Sequence, residues 1–156
     1  MPKDDAREAL IERLARNPRL AHATLFPHRH SDATPDFHLE MIDAWHSGDP
    51  HVITEAFRGG AKSTIAEEAI TTMACLRQFK NAIILGDNET RAKERLTSIK
   101  HEIEHNEFIE ELFGSLVGDT WTETKIVLTN GVVMQAYGRG QSLRGAKHLA
   151  QRPDMA

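Results

Sequence analysis

One run, Val52-Ile53-Thr54-Glu55-Ala56-Phe57-Arg58-Gly59-Gly60-Ala61-Lys62-Ser63-Thr64, restricts the folds open to this chain more than any other. Its β-branched start reads as a strand over residues 51–55, its glycine pair as a turn, and its end as the opening of an apolar-periodic helix. A strand, a glycine turn and a helix led by Lys62 and Ser63 make the layout of a phosphate-binding loop. In such a loop successive backbone N–H groups wrap the β- and γ-phosphates, the lysine adds a point charge and the hydroxyl reaches Mg²⁺. The positive end of the helix dipole faces the same anion.

The run departs from the pattern G-x-x-x-x-G-K-[ST]. The two formal glycine positions hold Ala56 and Ala61, and the glycines present are Gly59 and Gly60. An alanine at positive φ costs roughly 1–2 kcal/mol. Either those two positions take ordinary dihedrals or the strain is offset elsewhere. Arg58 places a second cation inside the loop. The plainer alternative is a strand–turn–helix with solvated Arg58 and Lys62, so the surrounding sequence has to decide.

After the loop, Ile65, Ala66, Ala69, Ile70, Met73 and Leu76 give one helical face through residue 79. Ala82-Ile83-Ile84-Leu85 is a continuous apolar run ending at Gly86-Asp87, the pattern of a strand buried on both faces of a parallel sheet. Strand 51–55, helix 63–79 and strand 82–86 therefore read as one βαβ unit, the context a phosphate loop requires.

Elsewhere the signals are local. Residues 4–16 read as a helix stopped by Asn17-Pro18, and residues 18–34 as a loop carrying His22, His28 and His30. His28-Arg29-His30 lacks a cysteine or acidic partner at ligand spacing and reads as surface loop rather than metal site. Thr34-Pro35-Asp36 opens a helix with a capping hydroxyl and proline in the first turn, and Gly48-Asp49-Pro50 closes it. Its stripe Phe37, Met41 and Trp45 reads as core, with an adenine-stacking face as the less favoured alternative.

Asp87 or Asn88 caps a helix through Ile103, Asn106 marks a break, and Phe108, Ile109, Leu112 and Phe113 form a short second amphipathic piece ending at Gly114. His101 and His105 share an exposed face. Trp121 reads as a core or edge anchor. Thr129-Asn130-Gly131 between Lys125–Leu128 and Val132–Met134 reads as a β-hairpin. Arg139, Arg144, Lys147 and Arg152 follow with no acid before Asp154, either as a flexible basic loop or as one facing phosphate or DNA.

A net charge of −4 excludes bulk coating of nucleic acid, so any DNA contact has to come from a local patch. The single cysteine, Cys75, lies among apolar residues and reads as a buried thiol suited to a reducing cytosol. No apolar run approaches the roughly 18 residues that span a membrane, and the acidic N-terminus has no signal-peptide core. A soluble cytoplasmic protein is expected.

The run Glu55 to Thr64 resembles the deviant phosphate loop of phage terminase large subunits, the DNA-packaging ATPases, in which an arginine precedes the lysine by four and alanine before the lysine is seen. Ala82–Asp87 with the helix of Ala92–Ile103, Trp121 with hairpin 125–136, Gly138–Gly145 with Arg144-Gly145, and Arg152-Pro153-Asp154 look like the same family in the same order. The similarity runs from about residue 36 to the end.

The resemblance implies an α/β fold, a P-loop NTPase of the additional-strand type with a parallel sheet core and a β-hairpin, incomplete at the C-terminus. Residues 1–34 would be an N-terminal helix and loop, and residues 35–156 a partial ATPase domain. ATP and Mg²⁺ would be the cofactors. The nucleotide would be held by Arg58, Gly59, Gly60, Ala61, Lys62, Ser63 and Thr64, with Lys62 on the β/γ-phosphates and Ser63 on Mg²⁺. Arg58 would act in cis on the γ-phosphate as an arginine finger does. Arg139, Arg144 and Lys147 would be possible DNA or phosphate contacts.

The implied partners are double-stranded DNA, the terminase small subunit and the portal protein, with a ring of subunits on the portal and the bacterial host cytoplasm as the location. Arg152-Pro153-Asp154 would lead into the acidic Walker B strand. That strand, the coupling motif and a nuclease domain lie beyond these residues, so the chain reads as a fragment of a longer motor, unstable and without hydrolysis by itself. The alternatives are another P-loop motor of helicase type, against which Ala61 and Arg58 weigh, and a non-catalytic phosphate- or partner-binding module.

Overall fold

The computed structural model describes residues 2–144, 146 and 154–155. It is an α/β structure with six α-helices and one four-stranded mixed sheet among the described residues. The chain divides into two compact units, Met1–Thr72 and Met73–Ala156.

In the first unit α1 (Pro2–Arg16) is followed at once by α2 (Pro18–Leu25), where the sequence reading had placed a loop. The dipeptide Asn17-Pro18 performs both jobs. Asn17 N–H closes α1 on Leu14 O at 3.1 Å, and its side chain accepts from Leu20 N–H at 3.1 Å as an N-cap, with Pro18 at the first helical position. The helix is short but buries Ala21, His22 and Leu25, and Phe26 behind it is also fully buried. A single turn, Pro27–Arg29, follows.

Helix α3 (Asp36–Trp45) starts and stops close to where expected. Thr34 does not cap it. The N-cap is Pro35, and the Thr34 hydroxyl pairs with His30 Nδ1 at 3.0 Å. Met41 and Ile42 of α3 bury against Ile65, with Phe37 packed on the same cluster. The Arg19 guanidinium forks onto Asp43 across α2 and α3, and this hydrogen bonding holds the Asp43 carboxyl below its ordinary range. Both side chains are about half exposed, so the pair contributes little to stability.

Helix α4 (Lys62–Cys75) runs across the division between the units and ends four residues before the expected position. Its end is closed by Arg77 at φ 54°, with Gln78 N–H on Met73 O at 2.8 Å and Arg77 N–H on Ala74 O at 3.2 Å. This is a Schellman stop made without glycine.

The second unit holds β1 (Asn81–Gly86), α5 (Glu89–His105), α6 (Glu107–Phe113), β2 (Val117–Trp121), β3 (Lys125–Leu128) and β4 (Val133–Gly138). The sheet order is β1-β4-β3-β2, with β1 parallel to β4 and the other pairs antiparallel. The sheet is therefore mixed, where a parallel core was expected. The parallel neighbour of β1 is β4, and residues 51–55 form no strand. Nor is β1 buried along its whole length: Asn81, Ala82 and Ile83 are, but Leu85 is 56% exposed.

Asn88 caps α5 by accepting from Arg91 N–H at 2.9 Å, and Asn106 caps α6 through Phe108 and Ile109 N–H. The hairpin forms as read, with Gly131 at φ 91° and its N–H on Leu128 O at 2.9 Å. Trp121 lies on the edge strand β2 and donates to Glu104 of α5.

Gly86 and Gly138 face each other across the ends of the parallel pair, and α5 starts directly against them. A Cβ on Gly138 would lie 2.2 Å from Glu89 N, and one on Gly86 would lie 2.6 Å from Ala92 N. Gly138→Ala is expected to destabilise the fold by roughly 1–3 kcal/mol, read as a lower denaturation midpoint; an unchanged midpoint would contradict this packing. Cys75 is buried and its thiol is pushed up to about 12 by burial. A thiol-exchange reagent should label the native protein at least roughly 100-fold more slowly than the unfolded chain, and equal rates would contradict the burial.

Candidate functional site

The loop of residues 51–61 has no regular secondary structure beyond a turn, and three side chains of α3 hold it. Trp45 Nε1–H donates to Thr54 Oγ1 at 2.7 Å. His38 Nε2–H donates to Gly60 O at 3.0 Å. The Phe37 ring lies 5.5 Å from the Phe57 ring, tilted by 53°. The expected strand is absent for a physical reason. β-Branched residues favour a strand only when neighbouring strands pack against them, and among the described residues Val52 and Ile53 have none; Ile53 is 94% exposed.

The turn itself is tight, with Gly60 N–H on Phe57 O at 3.1 Å and Gly59 at φ 89°. Ala61 follows at φ 53°, in the left-handed region. Its carbonyl accepts from Ile65 N–H at 3.0 Å, so Ala61 stands at the N-cap position of α4. Ala56 is not among the described residues with positive φ. Of the two alanines at formal glycine positions, only Ala61 is strained. The first N–H groups of α4, beginning at Lys62, have no acceptor within the helix.

Arg58 and Lys62 are exposed beside this turn, Ser63 and Thr64 are half-buried at the helix start, and neither cation is tied to a carboxylate among the described residues. The arrangement offers two cations without a carboxylate partner among the described residues, two hydroxyls and the unpaired first N–H groups of α4 within one short segment. That donor set fits a polyphosphate, with the Ser63 hydroxyl as an oxygen ligand for an accompanying Mg²⁺.

The basic residues after β4 lie in the second unit. Arg139 is exposed, with its N–H on Gly86 O at 3.0 Å, and Arg144 is exposed, with its N–H on Ser142 Oγ at 3.2 Å. Lys147, Gly145, Arg152 and Pro153 lie outside the described residues. Two buried amides unremarked in the sequence hold Ala146: Gln135 Nε2 and Asn81 Nδ2 donate to its carbonyl at 2.7 and 3.2 Å. Asp154 accepts from Asn81 N–H at 2.8 Å and Lys80 N–H at 3.0 Å. Met155 then continues alongside β1 in parallel, with Ile83 N–H on Met155 O at 2.7 Å.

A second constellation was missed. His22 of α2, His30 and Glu68 of α4 converge, with His22 Nδ1 at 3.1 Å and His30 Nε2 at 2.9 Å from the same oxygen, Glu68 Oε2. His30 is therefore no surface residue, while His101 and His105 remain an exposed stacked pair as expected. Only the mixture of several histidines with a buried helix glutamate hinted at the cluster, and no spacing rule joins residues this far apart. A cavity of about 270 Å³ beside it is lined by His30, Thr34, His38, Ala61, Thr64 and Glu68, among others.

No protein-family model, no curated protein and no solved structure matches this chain. No helix among the described residues is long and apolar enough to cross a membrane. Because Ala61 carries left-handed backbone, Ala61→Gly should stabilise the protein by about 0.5–1 kcal/mol, the strain relieved less the added chain entropy. A measured loss of stability would contradict that backbone conformation.

Proposed function

We propose that residues 58–64 are the ATP-binding loop of a P-loop motor of the terminase large-subunit type, which packages double-stranded DNA. The observation that carries the reading is Ala61 at φ 53° between a glycine turn and the start of α4. A left-handed residue there carries the chain into α4 so that the helix opens directly after the turn, with its first N–H groups, beginning at Lys62, lacking acceptors within the helix, while the Gly60 N–H is taken by Phe57 O. Strain of this kind clusters at ligand sites; unlike the left-handed Arg77, which closes the end of α4, Ala61 stands at a helix start beside Lys62 and Ser63.

In this reading Lys62 holds the β- and γ-phosphates, Ser63 binds Mg²⁺, and Arg58 offsets the charge that develops on the γ-phosphate. Bound Mg²⁺ supplies charge neutralisation across the phosphates. The pairing of Met155 with β1 also supports the reading. An acidic metal-binding strand following Arg152-Pro153-Asp154 would then lie beside β1, on the edge opposite β4. The partners proposed with this function are duplex DNA, for which Arg139, Arg144 and Lys147 are the candidate contacts, the small subunit and the portal.

The test is Mg·ATP binding by calorimetry. Lys62→Ala removes a charged hydrogen bond worth about 1.5–3 kcal/mol and should weaken binding by roughly 10- to 150-fold. Equal affinity in wild type and variant, or no binding to folded wild-type protein, would contradict the proposal.

A further inference from the structure

We propose that His22, His30 and Glu68 form a binding site for a zinc-type divalent cation. The site uses none of the residues assigned to the nucleotide, although Ala61 and Thr64 line the same cavity as His30 and Glu68. The three ligand atoms, His22 Nδ1, His30 Nε2 and a Glu68 oxygen, all lie within 4.8 Å of one another. Both nitrogens already point at Glu68 Oε2, at 3.1 and 2.9 Å. Ligands at about 2.0–2.1 Å from a tetrahedral ion sit roughly 3.3 Å apart, so the two shorter separations need to open by only a few tenths of an ångström.

The environment is the stronger argument. His22 is 0% exposed and Glu68 1%, which shields the ion on one side. Each imidazole has a partner on its other nitrogen: His22 Nε2 meets His46 Nε2 at 3.1 Å, and His30 Nδ1 meets Thr34 Oγ1 at 3.0 Å. With the proton held on that outer nitrogen, the inner one presents its lone pair to the metal, as metal-binding histidines usually require. Thr34 serves either tautomer, because its hydroxyl both donates and accepts.

Charge and space are consistent with an ion. Arg29 Nη1 lies 4.0 Å from Glu68, but on Oε1, the oxygen that the histidines do not use. It lies equally far from Glu67 Oε2, and its guanidinium rests over the Phe26 ring at 5.8 Å. Glu67 and Glu68 together thus outweigh the one arginine. The cavity beside His30 and Glu68 leaves room for water as a fourth ligand. Two imidazoles and one carboxylate suit Zn²⁺ and discriminate against Mg²⁺, which prefers oxygen. The ion would tie α2, the segment after the Pro27–Arg29 turn, and α4 to one point.

The experiment is calorimetric titration of chelator-treated protein with Zn²⁺, without nucleotide, and with Mg²⁺ as a control. One equivalent of Zn²⁺ should bind and raise the melting temperature, and excess Mg²⁺ should not displace it. His30→Gln and Glu68→Gln should abolish that binding. Thr34→Val, which removes only the outer partner of His30, should weaken it by about 10- to 100-fold. Absence of Zn²⁺ binding by folded wild-type protein, or unchanged affinity in both ligand variants, overturns the proposal. If a ligand variant fails to fold, the visible spectrum of Co²⁺-loaded wild-type protein decides: intense low-coordinate bands support the site, and a weak spectrum like that of hydrated Co²⁺ overturns it. Failure of ATP binding in the same wild-type sample would bear only on the loop.

Discussion

The grip of α3 on the following loop is the constraint on which the first unit depends. Phe37, His38 and Trp45 come from one ten-residue helix and reach Phe57, Gly60 and Thr54 in turn. The loop has no sheet to define it, so these three contacts replace strand pairing as the source of its shape. Gly60 is buried against Phe57, which lets the turn close, and Ala61 is left to absorb the change of direction into α4. A hydrogen bond to a backbone carbonyl and another to a threonine hydroxyl each contribute about 1 kcal/mol, comparable to the strain at Ala61. The conformation is thus held by contacts outside the loop itself.

In the second unit the equivalent constraint is the parallel pairing of β1 with β4, six residues in register and covered by α5. The glycines at the ends of both strands let α5 begin in backbone contact with them, and the asparagine cap at position 88 fixes where it begins. On the far edge of β1, Asp154 satisfies the first strand N–H groups through its side chain and Met155 pairs in parallel. β1 therefore has a parallel partner on each side, the pattern of a central strand. The hairpin β3–β4 supplies the antiparallel side of the sheet.

What the sequence made legible was local. The turn at Asn130-Gly131, the cap at Asp87 or Asn88, the break at Asn106, the helix start near Pro35 and the apolar face of α4 each depend on residues a few positions apart, and each element formed. Asn88 is the cap of α5, and Pro35 rather than Thr34 stands at the N-cap of α3. What it hid was non-local or double-valued. Pro18 is both a helix terminator and a first-turn residue, and only the burial of Ala21 and Leu25 chooses the second role. Residues 51–55 have strand chemistry, yet strand formation requires neighbours that no local pattern reports. The βαβ unit expected of residues 51–86 lacks its first strand for the same reason. His22 and His30 find Glu68 across 46 and 38 positions, so their convergence is a property of the packed helices. The strain at Ala61 was foreseen as one of two alternatives, and the structure selects it.

The two sites in the first unit make different demands on that strain and packing. The loop keeps its cations exposed and leads into helix N–H groups that have no acceptor within the helix, as a ligand that comes and goes requires. The histidine–glutamate cluster is buried and braced, as a resident ion requires. The measurement that most directly tests the central claim is an amide NMR titration of isotope-labelled protein with Mg·ATP. The account predicts shifts concentrated on Gly59–Thr64, with smaller ones at His38 and Trp45 through the α3 contacts. Saturable binding with those amides unmoved, or no binding by a protein whose spectrum is folded, would contradict it.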